Sequence, residues 1–164
     1  MQLLRIITLT TVFIPIFAMG SLFQKYRPSD FVDLSRKERS YASWMLSGVY
    51  LALLWLIPTL YTDMMIRVFF IGMASSAALA GIVNLKEKVS LHAIGWSGLL
   101  VMLVFLSQQS FKDLYPLITL LILWLGLVAY ARVVEGAHTP RQFYLGILLG
   151  IITNSIIFTA VYGI

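Results

Sequence analysis

The chain has 164 residues, 60% of them hydrophobic and 12% charged, with no cysteine and a net charge of +5. Soluble domains carry about 25% charged residues, so this composition argues against an aqueous fold, and the missing cysteine excludes disulfide frameworks, thiol chemistry and thiolate metal sites. The 12 Lys and Arg are scattered through short loops instead of forming one basic face, which points to anionic lipid headgroups and away from nucleic acid as partner.

Six continuous apolar runs of about 20 residues can be read in chain order: 3–23, 41–61, 65–84, 89–107, 114–134 and 143–163. Each is long enough for a helix to cross a hydrocarbon core, and the lack of strict alternation argues against barrel strands. The expected fold is therefore all-α, a single integral membrane domain over 1–164 built as a bundle of six transmembrane helices. The first run follows Arg5 and ends near Ala18-Met19-Gly20-Ser21, which also fits a cleavable signal peptide. The third carries Ala74-Ser75-Ser76-Ala77-Ala78 with Ala80 and Gly81, and the last carries Gly146 and Gly150 in a G-x-x-x-G spacing. Both read as faces where helix backbones approach closely. Trp44, Tyr61, Tyr115, Tyr130, Tyr144 and Tyr162 fall near run ends, as interfacial aromatic belts do.

With six crossings, the loops 24–40, 86–88 and 135–142 share one membrane face. Counting Arg132 with them, that face holds nine of the 12 basic residues, five of the seven acids and both histidines, His92 and His138. Two causes give such an asymmetry: the positive-inside rule and an anion-binding site looking into either compartment. They leave the orientation open.

The polar residues of this face form a pattern. Ser90 and His92 open the fourth run, where a helix N-terminus presents free N–H groups to an anion. Arg132 closes the fifth, and His138 follows six positions later, ahead of Thr139-Pro140. Arg36 and Arg39, three apart, lie on one side of any helical turn before the second run. Two imidazoles, several guanidinium groups and a helix N-terminus suit a phosphate group.

The order of these residues resembles the type 2 phosphatidic acid phosphatase superfamily of six-span membrane enzymes. The family's Pro-Ser-Gly-His is matched by Val89-Ser90-Leu91-His92. Its Ser-Arg, five residues, His, three residues, Asp is matched by Ala131-Arg132, His138 and Gln142. Its Lys, six residues, Arg-Pro is matched by Arg39-Ser40, with Val32 at the Lys position. The resemblance implies that His138 attacks phosphorus to form a phosphohistidine, that His92 protonates the leaving oxygen, and that Arg132, Arg39 and Ser90 hold the phosphate; Arg36, three before Arg39, is a further phosphate-binding candidate by its spacing. It implies neither metal nor cofactor. Gln142 stands where the family's Asp orients the nucleophilic histidine, with Glu135 nearby as a second group for that role, while Leu91 replaces the family's Gly.

The expected function is thus a lipid phosphate or diphosphate phosphatase in a bacterial inner (plasma) membrane. Its substrate is a membrane lipid with a phosphate headgroup, such as phosphatidic acid, phosphatidylglycerophosphate or polyprenyl diphosphate. A non-catalytic lipid-binding or scaffold protein is the main alternative, motivated by Gln142, Leu91 and Val32. A haem-binding bundle would use the two histidines as axial ligands, but His138 sits before Thr-Pro in a loop. A prenyltransferase would need a second acidic motif beside Asp30 and Asp33. Oligomeric state has no signal in the sequence.

Overall fold

The structure, a computed structural model, describes residues 34–56, 63–109 and 113–163. Among the described residues there are five α-helices: α1 (Arg36–Leu56), α2 (Met64–Val83), α3 (Leu91–Gln109), α4 (Tyr115–Val134) and α5 (Pro140–Tyr162). The expected first span, 3–23, together with Val32, Asp30 and Asp33, lies outside the described residues.

Local chemistry sets the helix ends. Ser35 and Glu38 form a capping box at α1, with the Ser35 amide donating to Glu38 Oε2 at 2.8 Å and the Glu38 amide to Ser35 Oγ at 3.3 Å. The Asp63 side chain accepts from the Met65 amide at 2.9 Å and starts α2. Thr139 and Gln142 form a second capping box at α5, with Pro140 in the first helical position. Gly163, with φ +71°, closes α5 in the left-handed conformation.

The six-span expectation is corrected here. Four of the five helices, α2 to α5, are long and apolar enough to cross a membrane. The fifth, α1, is long enough at 21 residues but too polar. Its first turn is Arg36, Lys37, Glu38 and Arg39, and Ser40, Ser43 and Ser47 are buried along one side. The chain is accordingly a membrane protein, with four helices of spanning character among the described residues.

Packing is densest where small residues meet. In α2 and α1, Ser40 Oγ donates to the Gly81 carbonyl at 2.7 Å, and a Cβ at Gly81 would lie 2.7 Å from the Trp44 indole nitrogen. Farther along the same pair, Leu53 and Phe70 form an apolar cluster with Tyr50 and Phe69. The centre is the contact of α2, α3 and α5, around Asn154, which is fully buried. Its Nδ2 donates to Ser76 Oγ at 3.1 Å and to the Gly150 carbonyl at 2.8 Å. Lone apolar attraction does not hold helices together in lipid, so such close approach and interhelical hydrogen bonds carry the association. By contrast, α4 packs mainly on α3, through Leu121, Leu125 and a Trp96–Trp124 edge contact at 6.1 Å. The rest of α4 presents Leu120, Leu123, Leu127 and Tyr130 outward, as a lipid-facing helix should.

Candidate functional site

The loops 84–90 and 135–139 lie at the same end of the bundle, and Arg141 Nη2 bridges to Glu87 Oε2 across them at 3.8 Å. The Ser90 amide donates to the Gln142 carbonyl at 3.4 Å, a direct backbone link between the two loops. Ser90 is fully buried, and its Oγ accepts from the Ala93 amide at 3.3 Å. It therefore acts as the N-cap of α3.

Between α4 and α5 the chain turns through Gly136, whose φ of +69° favours glycine. The His138 amide then donates back to the Arg132 carbonyl at 3.1 Å. This fold-back places the His138 ring beside the end of α4. The charges that reach His138 are Lys88, Arg132 and His92, and those that reach His92 are Arg132 and Glu135. His138 thus lies within electrostatic reach of Lys88, Arg132 and His92, groups drawn from two loops and two helix ends.

His138 is half-buried and its Nδ1 is buried with no hydrogen-bond partner. Burial first, then Lys88 and Arg132, push its imidazole from the ordinary 6.5 down to about 4, with His92 adding in the same sense and a side-chain hydrogen bond with Gln142 opposing. The ring is neutral at pH 7 and remains an available nucleophile. Because the folded chain holds the imidazole neutral where the unfolded chain would protonate it, unfolding takes up a proton between pH 6.5 and about 4. Stability therefore falls as pH is lowered through that window. The chain has only two histidines, so nitrogen-15 histidine NMR in micelles can follow both. One imidazole is expected to titrate near pH 4; two ordinary titrations near 6.5 would contradict the burial of His138.

The remaining predicted residues are placed as follows. Arg132 Nη1 pairs with Glu135 Oε2 at 3.2 Å, while its Nε is buried without a partner. Gln142 Oε1 accepts from the Thr139 amide at 3.1 Å as part of the capping box. Arg39 donates from Nη1 to the Leu34 carbonyl and lies beside Arg36 at the start of α1. These two arginines are not among the charges that act on His138.

Two residues were not singled out by the sequence. Lys88 contributes the first-ranked charge on His138, and its position two before Ser90 was the available signal. Asn84 is buried, donates from Nδ2 to Ser43 Oγ at 3.0 Å, and accepts at Oδ1 from the Val89 amide at 3.1 Å. It ties the loop that leads into Ser90 and His92 to α1.

Comparison with protein families, with curated proteins and with solved structures finds no match to this chain. The site is therefore interpreted from its own chemistry.

Proposed function

We propose that the chain is a membrane phosphatase acting on a lipid phosphate or diphosphate, in a plasma membrane of the bacterial inner-membrane type, through a phosphohistidine on His138. The observation that carries this reading is a neutral, half-buried imidazole within electrostatic reach of Arg132, Lys88 and a second imidazole. The order of His92, Arg132 and His138, which resembles the type 2 phosphatidic acid phosphatase superfamily, supports it.

Burial of Nδ1 leaves Nε2 as the His138 nitrogen that meets phosphorus. In the first step the Nε2–P bond forms and the P–O bond to the lipid breaks, with His92, which takes up a proton when the anionic head binds beside it, giving that proton to the leaving oxygen. Arg132 and Lys88 neutralise charge on the phosphoryl oxygens, as fixed cations do at such centres. In the second step His92, now neutral, takes a proton from water as the water oxygen attacks phosphorus. The N–P bond breaks, inorganic phosphate leaves and both imidazoles return to their starting states.

A second reading, lipid phosphate binding without turnover, is favoured by one observation: the side chain that reaches His138 is an amide, Gln142, which carries no charge to offset an imidazolium and also serves the Thr139 cap. The test is phosphate release by purified protein from phosphatidic acid, phosphatidylglycerophosphate and a polyprenyl diphosphate in chelator-treated micelles. Release from at least one lipid, blocked by vanadate, is expected. Retention of these lipids with no release from any would favour the binding reading and overturn the phosphatase.

A further inference from the structure

Between α4 and α5 lies an open groove of about 390 Å³. Gly126, Ala129 and Val133 form one wall, and Pro140, Phe143 and Ile147 the other. The groove exists because α4 leans on α3 and makes little contact with α5, and because Gly126 and Ala129 in the middle of its lining are small. A Cβ built on Gly126 would meet nothing within 4 Å. From Val133 to Ile122, the deepest residue on α4, the helix rise of 1.5 Å per residue gives a length of roughly 16 Å.

The upper end of the groove is lined by residues next to the site in the chain. Val133 follows Arg132 in α4, and Pro140 stands two positions after His138. Tyr130 and Tyr144 line the same gap and are exposed at its sides. One end thus adjoins Arg132, which pairs with Glu135 through Nη1 but keeps a buried, unpartnered Nε, and the rest is hydrocarbon. The occupant that matches both ends is an amphiphile with an anionic head and an apolar chain. At roughly 30 Å³ for a water-sized group, the volume holds about a dozen such groups, which suits one chain and not two side by side.

We infer that the α4–α5 groove is the seat of a single hydrocarbon chain of a lipid phosphate whose head lies at Arg132 and His138, entering sideways from the bilayer. The identity of the head rests on the proposed phosphatase reading; chain seating can be measured without turnover.

The probe is phosphatidic acid carrying a mid-chain diazirine, photolysed with the full chain in phosphatidylcholine nanodiscs and mapped by peptide mass spectrometry. Adducts are expected on 122–133 and 143–147, displaced by unlabelled phosphatidic acid and not by added phosphatidylcholine. Gly126→Phe, which grows into open space, should lower this labelling at least fivefold. Leu123→Phe, on the outward side of α4, should not change it. Labelling spread evenly over all outward helix faces, or unchanged in Gly126→Phe, overturns the groove assignment. Groove labelling without phosphate release would sustain it while the phosphatase reading falls, and release with labelling elsewhere would do the reverse.

Discussion

His138→Ala is expected to reduce phosphate release by about 100-fold or more while leaving the fold and lipid retention in place. The size follows from the site's incomplete equipment. Removing the nucleophile of a complete serine-protease triad costs about 10⁶ in turnover, and replacing the orienting carboxylate of such a triad by an amide costs about 10⁴. In this chain the corresponding position is already an amide, Gln142, and its oxygen is bonded to the Thr139 amide. Less of the full effect is left for His138 to lose, so a drop near 100-fold is the consistent expectation. The fold should survive, because the link from this residue back to Arg132 is made by its backbone amide, and Gln142, the side chain that hydrogen-bonds the ring, keeps its capping bond to Thr139. Thermal unfolding and retention of phosphatidic acid on the purified variant serve as the controls. Release that is unchanged in His138→Ala would remove the phosphohistidine.

Much of this arrangement is legible in the residues, and the exceptions have physical causes. The apolar runs over 65–84, 89–107, 114–134 and 143–163 overlap α2 to α5, because continuous apolarity over about 20 residues has few solutions other than a helix. The run at 41–61 misled on two counts. Its helix starts five residues earlier, at Arg36, where the Ser35-x-x-Glu38 spacing of a capping box could have been read. Its serines point at α2, which makes the helix too polar to be counted with the other four. Likewise, Thr139-x-x-Gln142 carries a capping-box signature, so a structural use of Gln142 was available beside its histidine-orienting one. His92, Arg132 and His138 were picked out by their order and spacing, and the structure puts His138 within electrostatic reach of the other two. Asn84 was not, since its partner Ser43 is 41 residues away and no local spacing announces a tertiary hydrogen bond.

Gly150→Leu is expected to destabilise the bundle by about 3 kcal/mol or more, at the upper end of what overpacking a tight interface costs. Gly150 has no side chain where α5 crosses α3. A Cβ there would collide with Ser97 Oγ and lie 2.7 Å from the Ile94 carbonyl oxygen. The hydroxyl can rotate away; the carbonyl belongs to the helix backbone and moves only if α3 moves. One turn earlier, Gly146 meets the Ser90 carbonyl at 2.7 Å under the same construction, so the G-x-x-x-G face as a whole sets the distance between the two helices. Pushing α3 outward at Gly150 would strain the Ser90–Gln142 backbone link, already at 3.4 Å, and would disturb Asn154, whose amide bonds the Gly150 carbonyl. Lost stability and a loosened site should therefore appear together. Gly48→Ala is the matched control: Gly48 also sits inside a helix, but its Cβ would meet nothing within 4 Å. There the gain in helix propensity of about 0.5–1 kcal/mol is unopposed, so the same glycine chemistry should give the opposite sign. Thermal unfolding in one detergent compares the two. Equal melting temperatures for Gly150→Leu and Gly48→Ala would mean that close approach at Gly150 does not set the helix spacing.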